Sequence, residues 1–361
     1  MKFRFAHAHS VGVVRRDRRP NTTDIDFTIH SEGTTAMMTR LLASSVAALA
    51  MLCGSVVHAA DYPSKTITMI VPFSAGGPTD TVARLLGQAM GADLKQTVIV
   101  ENVAGAGGTV GAGRVARSDP DGYTLFLHHI GQSTAPALYR KLPYNAVDDF
   151  APIGLVTDVP MTLVARADFP PKDLKELIDY VKKNKDKVTY ANAGLGAASH
   201  LCGMLFMTAI DTDVTTVPYK GTGPAMNDLL GGKVDFMCDQ TTNTSSQIKA
   251  GKIKVYAVTT KKRVPSLPNV PTSAEAGLPS FEVSVWHGLY APKGTPKAII
   301  DRLDAALKVA LKDPTLKQRF ADLGTEPVAD NQATPEALSA QLKAQIALWG
   351  PIIKKAGTFA D

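Results

Sequence analysis

The chain has 361 residues, of which 45% are apolar and 20% are charged, and this composition excludes a disordered chain because enough apolar surface can be buried to offset the ordering entropy. Residues 1–59 contribute half of the net charge of +6, because they hold seven of the 39 basic and four of the 33 acidic side chains. The rest of the chain shows no basic stripe with interleaved aromatic residues, so we expect no nucleic-acid partner. Because a single hydrophobic core rarely grows beyond ~250–300 residues, the chain length predicts a fold of two domains.

Residues 37–59 have the three parts of a signal peptide. Arg40 precedes an uncharged run that ends in small residues at Val57-His58-Ala59. A membrane anchor is the alternative, but the run is short and contains several serines and glycines. Leu52 in front of Cys53 argues against lipid attachment.

Residues 1–36 precede this complete signal, and we interpret them as lying upstream of the natural start. A twin-arginine signal at Arg15-Arg16 is the weaker alternative, because the pair lies far from the apolar run and Asp17 follows it. We therefore expect a mature periplasmic chain that begins near Ala60 or Asp61.

From Lys65 onward, short apolar runs alternate with helical patterns and glycine-rich turns, which predicts an α/β fold. The predicted strands are 66–73, 97–101, 123–129, 161–165, 187–191, 214–217, 234–238, 255–259 and 283–290. The predicted helices are 80–90, 111–118, 174–184, 199–210 and 224–230, followed by a helical tail, 296–356, with starts or breaks at Pro314 and Pro335. Extended segments at 155–165 and 283–291 suit two crossings between an α/β half at 61–160 and another at 161–285.

Three predicted strand-to-helix turns, 73–80, 191–199 and 218–224, place small residues before a helix. Glycines let a ligand approach the backbone, and the free first-turn amides and the helix dipole favour an anion there. Such turns lie at the carboxyl ends of strands, where α/β folds bind ligands. Each turn alone is also explained as an ordinary connection between a strand and a helix, with Thr79 or Ser199 as an N-cap and Pro224 at the first helical position. Because the turns recur in both halves, we favour a ligand cleft between the halves.

The sequence offers no cofactor motif. Gly111-Ala112-Gly113-Arg114-Val115-Ala116 fits a loose dinucleotide fingerprint, but no strand leads directly into Gly111 and no acidic ribose partner follows. Gly232-Lys233 is followed by Val234 and lacks the earlier glycine of a phosphate loop. The four histidines after residue 60 have no spaced cysteine or carboxylate companions, so we expect neither a cofactor nor a metal.

Two polar positions at strand ends are candidate cleft residues. His128-His129 ends a predicted buried strand, and we expect one of the pair, His129, to face the cleft, with a structural histidine as the alternative. Asp239 follows another strand and is either a cleft residue or a turn carboxylate. Ser199 and His200 are neighbours on a helix and cannot face each other as nucleophile and base.

Cys202 and Cys238 remain in the mature chain, in a compartment that permits disulfides. We favour two buried, unpaired side chains over a bridge, because the sequence does not show that their Cα atoms lie within ~7 Å.

A series of motifs spans the mature chain in order: Tyr62-Pro63-Ser64-Lys65, the run 71–80, the run 102–108 with Gly111-Ala112, the run 119–125, Leu142-Pro143-Tyr144, Asp149-Phe150-Ala151-Pro152, Pro218-Tyr219-Lys220-Gly221, Val270-Pro271-Thr272 and the run 275–279. In this order the motifs resemble the solute-binding receptors of tripartite tricarboxylate transporters, also called the Bug family.

The resemblance implies a two-lobed periplasmic binding protein of the type II-like class, in which two α/β domains are joined by a two-strand hinge. Lobe 1 would comprise 61–160 with 286–361, and lobe 2 would comprise 161–285. Such a receptor captures a small organic carboxylate and delivers it to membrane permease subunits, as a monomer and without catalysis.

The resemblance also implies site residues. In the first lobe they are Ser74, Gly76, Gly77, Thr79, Asp80 and the loop 131–134 with Ser133 and Thr134. In the second lobe they are Ala193, Gly194, Ala198, Ser199 and Tyr219. The His128-His129 pair departs from the small polar residues expected at that place.

Two rival functions remain open at this point. One is an exported hydrolase or isomerase that uses Asp80, Asp239 or a histidine as its base. The other is an ABC-type receptor with the same bilobal fold.

Overall fold

The structure, a computed structural model, describes residues 62–357 and residue 359. The predicted signal peptide at 37–59, Cys53 and the segment 1–36 lie outside the described residues. Within the described range, no helix has both the length and the apolar character needed to cross a membrane.

Strands and helices alternate along the chain, which confirms the predicted α/β class. The strands are β1 Ile67–Val71, β2 Val98–Asn102, β3 Thr124–His129, β4 Phe150–Arg166, β5 Thr189–Asn192, β6 Thr215–Pro218, β7 Phe236–Gln240, β8 Ile253–Val258 and β9 Ser284–Pro292. The α-helices are α1 Pro78–Leu94, α2 Thr109–Ala116, α3 Gly131–Leu138, α4 Leu174–Lys183, α5 Ala198–Ile210, α6 Thr222–Leu230, α7 Thr241–Lys249, α8 Lys297–Lys312, α9 Pro314–Asp322 and α10 Pro335–Ala356. A 3₁₀ turn, Ala106–Gly108, precedes α2.

The long strand β4 belongs to two groups of strands. Its first part, up to Pro160, pairs antiparallel with β9, which also pairs with β3 beside the parallel strands β1 and β2. From Met161 onward it pairs antiparallel with β7 and β8, and β7 lies next to the parallel strands β5 and β6. Proline has no backbone N–H to donate to a ladder, and Pro160 lies where β4 exchanges its partner.

Helices cover the strands through apolar stripes. In α8, Leu303, Ala306, Leu307 and Ala310 are fully or almost fully buried at helical spacing against the cluster around β1 and α1. The strand β3 is buried almost throughout, as its apolar run predicts. The polar residues that follow such buried strands are therefore held at fixed positions.

Two helices differ from the sequence-based expectation. The segment predicted as a loop, 131–134, is the start of α3, because Ser133 and Thr134 donate their hydroxyls to the carbonyls of Ile130 and Gly131 and so fit within a helix. The helix α7 was not predicted, since its Thr, Asn and Ser residues have low helix propensity. There, Thr244 and Ser245 bond to the carbonyls of Gln240 and Leu323.

The expectation that Cys202 and Cys238 remain unpaired is wrong. The two residues form a disulfide, with Cα atoms 6.0 Å apart. One lies on α5 and the other on β7, which pack together in the fold although 36 residues separate them in the chain. Both side chains are fully buried, as expected.

Candidate functional site

The helices α1, α5 and α6 begin at the three turns that the sequence singled out. Their N-cap residues are Gly77, Ala197 and Gly221, and within the described residues none of these helices has a capping hydrogen bond from the side chain of its N-cap residue. The N-cap positions expected for Thr79 and Ser199 are therefore wrong. Pro78 already occupies the start of α1, and the Ser199 hydroxyl instead accepts a hydrogen bond from the Ala193 N–H at 2.8 Å.

The position of Pro224 in its helix also differs from expectation. Pro224 is the third residue of α6 rather than its first, because α6 begins at Thr222. The three helices thus present first-turn backbone amides without a side-chain cap, which is the arrangement that favours an anion.

The three turns and two strand ends surround one small cavity. It is lined by Phe73, Pro78, Thr79, His129, Ala193, Ala197, Ala198, Ser199, Thr222, Asp239 and Gln240. These residues follow or end β1, β3, β5, β6 and β7, so the cavity lies at the carboxyl ends of strands from both groups. Its volume is about 10 Å³, close to the space of one water molecule.

Six of the residues predicted for the site line this cavity: Thr79, His129, Ala193, Ala198, Ser199 and Asp239. The other predicted residues lie outside its lining: Ser74, Gly76, Gly77, Asp80, Ser133, Thr134, Gly194 and Tyr219. Five residues of the lining were not predicted from the sequence: Phe73, Pro78, Ala197, Thr222 and Gln240. Four of these belong to the same three turns and the fifth follows Asp239, so reading each turn in full would have found them.

Asp80 positions the first turn instead of facing the cavity. Its carboxylate accepts hydrogen bonds from the Gly76 N–H at 3.0 Å, from Arg84 at 2.9 and 3.0 Å and from the Asn102 amide at 3.0 Å. Burial opposes ionisation of Asp80, but these hydrogen bonds outweigh it and hold the pKa below its ordinary value. Both oxygens are therefore occupied in holding the turn 74–80 on α1.

Several predicted residues that do not line the cavity join segments from the two strand groups. The Ser74 N–H donates to the Lys220 carbonyl at 3.0 Å, and the Thr134 hydroxyl donates to the Gly196 carbonyl at 3.0 Å. Gly194 lies against Gly107, where a Cβ atom would come within 3.3 Å of the Gly107 nitrogen.

Ser133 and Tyr219 use their hydroxyls elsewhere. The Ser133 hydroxyl donates to the Ile130 carbonyl at 2.6 Å, inside the start of α3. The Tyr219 hydroxyl donates to the Asp228 carboxylate at 2.8 Å.

His129 faces the cavity as a neutral ring. Its Nδ1 accepts a hydrogen bond from the Gly131 N–H at 2.9 Å, so the ring hydrogen lies on Nε2. Burial, together with His128 and His287, holds its pKa well below the ordinary value. The ring stacks on Phe73 with centroids 4.7 Å apart, and it therefore offers the cavity one N–H donor without a positive charge.

His128 and His287 form a buried cluster with His129 next to the cavity. Burial lowers the pKa of His128 to about 3 and that of His287 to about 4, so both rings are neutral. The His287 Nε2 atom lies 3.4 Å from the Thr79 hydroxyl, and its Nδ1 atom lies 3.1 Å from the Val285 carbonyl.

Asp239 is a buried carboxyl in the cavity wall, with only 1% of its surface exposed. It accepts hydrogen bonds from the Thr222 hydroxyl at 3.0 Å and from the Asn243 amide at 2.6 Å. Burial raises its pKa to about 6 in spite of these bonds. Next to it, the buried Gln240 Oε1 has no protein partner among the described residues and offers an acceptor.

The site therefore combines backbone amides, neutral N–H and O–H donors and one buried carboxyl group. Such a set holds an anion by hydrogen bonds rather than by a cationic side chain. Within the described residues, no group of three or more His, Cys, Asp or Glu side chains is arranged to hold a metal.

Known proteins of the same architecture are similar to this chain. It is 54% identical to a UPF0065 protein of Agrobacterium vitis over 296 residues, which cover 82% of this chain and 86% of the relative. Among solved structures, the periplasmic binding protein BugD is 55% identical with a TM-score of 0.81, covering 83% of this chain and all of BugD. MatC of Rhodopseudomonas palustris, solved with bound malate, is 43% identical with a TM-score of 0.78, covering 81% of this chain and all of MatC.

These similarities confirm the periplasmic binding protein fold that the sequence motifs implied. The family model described as the tripartite tricarboxylate transporter family receptor matches residues 82–358. This chain therefore belongs to the receptor family of the tripartite tricarboxylate transporters.

Proposed function

We propose that the protein is a periplasmic receptor that captures a small organic carboxylate in the cavity between two lobes and delivers it to the membrane permease subunits of a tripartite transporter. The observation that carries this proposal is the convergence of α1, α5 and α6 on one cavity, with their first turns uncapped by the side chains of their N-cap residues. Amides and helix dipoles oriented in this way favour a carboxylate.

The strength of such contacts is sufficient for a receptor. A hydrogen bond to a charged group contributes about 1.5–3 kcal/mol, so three or four of them, reduced by the costs of association, give micromolar affinity. MatC was solved with malate, and this chain is similar to it. We accordingly expect the ligand here to be a small organic carboxylate too.

The pairing of β4 supports a division into lobes at residue 160. Lobe 1 then comprises 61–160 with 286–361, lobe 2 comprises 161–285, and β4 and β9 lie where the two meet. A cavity of about 10 Å³ is far smaller than an organic acid. The ligand therefore enters only when the turns of the two lobes move apart, which is the hinge motion that a permease senses.

We also propose how the chain is processed, where it acts and in which oligomeric state. The signal at 37–59 is cleaved, the mature protein begins near Ala60 or Asp61, and it acts in the periplasm as a monomer without cofactor and without catalysis. Asp80, one of the candidate bases of the rival enzyme together with Asp239 and the histidines, has both oxygens engaged by Arg84, Asn102 and Gly76.

A panel of acids tests this function. The mature chain is heated with malate, succinate, citrate, benzoate and glutamate, and with the neutral amide succinamide as a control. We expect at least one acid to raise the melting temperature and to bind with a micromolar Kd by calorimetry, and succinamide to have no effect. Absence of binding by every acid, or conversion of a bound acid followed by NMR, would contradict the receptor function.

A further inference from the structure

Asp239 creates an electrostatic conflict in a site that binds anions. It lies one residue before the end of β7, in the wall of the same small cavity as the first turns of α1, α5 and α6. Its two oxygens accept hydrogen bonds from Thr222 and Asn243, which hold the carboxyl group in place. A ligand carboxylate in this cavity is therefore close to a second carboxyl group.

Among the described residues, no lysine or arginine of the cavity wall compensates for these two groups. The lining residues contain neither lysine nor arginine. Three hydrogen bonds, from Asn243, the backbone of Gln240 and Thr222, favour the ionised form of Asp239, whereas burial opposes it, and no charged partner contributes.

The groups on the surrounding elements are neutral or already paired. The paired group is Asp80 on α1, which bonds to Arg84. The neutral groups are Thr79 on α1, His287 of β9 next to Thr79, His129 at the end of β3, Tyr190 on β5, Ser199 and His200 on α5, Thr222 on α6 and Asn243 on α7. Burial keeps the histidines of this set neutral and raises the pKa of Tyr190.

When two carboxyl groups share a dry site, the negative charge of one raises the pKa of the other, and one of the pair takes up a proton. His129 is a poor acceptor for this proton. The lone pair on Nδ1 of its neutral ring already accepts the Gly131 N–H, so protonation there would break a buried hydrogen bond. A carboxylate has about four lone-pair sites, and Asp239 uses three of them for Thr222, Asn243 and the backbone of Gln240, so a proton can add without breaking a hydrogen bond.

We propose that Asp239 takes up one proton from solvent when the carboxylate ligand binds, so that the site holds the anion and a proton together. The proton adds to one carboxylate oxygen of Asp239, and the resulting O–H donates to the ligand carboxylate. This inference rests on the proposed carboxylate function and specifies the charge state of its site.

The dependence on pH follows from the state of the empty site. The pKa of Asp239, raised by burial to about 6, means that the empty site is largely ionised at pH 7 and above. Binding is then accompanied by uptake of a proton from solvent, so Kd rises about tenfold per pH unit above pH 7, and this dependence weakens as the pH falls through 6. Small organic acids remain ionised over the upper part of this range.

Calorimetry measures the proton directly. Malate, succinate, citrate, benzoate and glutamate are titrated into the mature protein at pH 7.5 in phosphate, HEPES and Tris, whose ionisation enthalpies differ. For each acid that binds, we expect the observed enthalpy to change with the buffer by an amount equal to uptake of close to one proton per site. Kd at pH 8 is expected to be about tenfold higher than at pH 7.

Variants assign the proton to its residue. In Asp239→Asn, the side-chain amide of Asn243 can turn to accept from the new amide, so the pair remains hydrogen-bonded. This variant is expected to bind with no proton uptake and with the same Kd at pH 7 and pH 8. His129→Gln and the exposed Asp179→Asn on α4, which makes the same charge change away from the cavity, are expected to retain the uptake.

The outcomes separate the two proposals. An acid that binds wild-type protein with no buffer dependence and a constant Kd overturns the role of Asp239 but leaves the receptor function standing. Proton uptake that persists in Asp239→Asn, or that disappears in His129→Gln while the acid still binds, also overturns it. If none of the five acids binds, the receptor function itself fails. The wild-type titrations decide the question even if Asp239→Asn does not fold.

Discussion

Gly107 lies at the closest approach between the 3₁₀ turn Ala106–Gly108 and the turn around Gly194. Its backbone is left-handed, with φ of +60°, and a Cβ atom there would lie 1.9 Å from the Leu195 carbonyl oxygen. That oxygen also accepts a hydrogen bond from the Tyr139 hydroxyl at 3.0 Å. A side chain at residue 107 would therefore push the two turns apart.

The substitution Gly107→Ala is expected to weaken carboxylate binding. We expect Kd to rise about tenfold or more, equivalent to about 1.4 kcal/mol or more, because the clash with Leu195 opposes closure of the site. Calorimetry with an acid that binds the wild-type protein measures this change.

Gly232→Ala is the matched control. Gly232 is also left-handed, with φ of +72°, but a Cβ atom there has no neighbour within 4 Å. Both variants carry a similar backbone strain of about 1–2 kcal/mol, so only Gly107→Ala should lose affinity. Equal effects of the two substitutions would show that strain, and not the contact with Leu195, is responsible.

At the scale of elements, the predicted turns located the small cavity because glycine and small residues before a helix form a recognisable sequence pattern. That pattern did not separate residues that line the cavity from residues that hold the turn. Thr79 and Asp80 are neighbours in one turn, yet the first lines the cavity and the second bonds to Arg84. The difference depends on which way each side chain leaves the first turn of α1.

The disulfide joins two elements that carry site residues. The helix α5 begins with Ala198 and Ser199, the strand β7 ends with Asp239 and Gln240, and Cys202 and Cys238 connect them. The bridge therefore restrains two walls of the cavity relative to each other.

Removing the bridge is expected to lower the free energy of unfolding. For the double variant Cys202→Ser with Cys238→Ser we expect a loss of about 2–4 kcal/mol, because the unfolded chain is no longer closed into a loop of about 36 residues. Urea unfolding followed by fluorescence measures it. Wild-type protein treated with a reductant should lose a similar amount, and an unchanged unfolding midpoint in both samples would show that the bridge contributes nothing to stability.

At the scale of the whole molecule, the proposed binding mode requires the two sides of the cavity to separate and to close again. The two sides meet through direct bonds such as those from Ser74 to Lys220 and from Thr134 to Gly196. The strand β4 pairs with both groups of strands, with β9 along its first part and with β7 and β8 from Met161 onward. Motion about this strand and the adjacent β9 would open the cavity.

Small-angle scattering tests this motion. We expect the radius of gyration of the ligand-free mature chain to exceed the value calculated from the closed structure, and a saturating acid to reduce it toward that value. Succinamide, which lacks the carboxylates, serves as the control and should leave the scattering unchanged. Identical curves with and without a tightly bound acid would contradict a hinge mechanism.

The sequence by itself determined the α/β class, the receptor family and the three turns around the cavity, because these depend on local periodicity and on residues adjacent in the chain. Only the tertiary structure decided that Cys202 pairs with Cys238 and that Asp239 lines the same cavity as His129. These facts depend on how segments far apart in sequence pack together, as α5 does against β7, and such packing leaves no local pattern in the sequence.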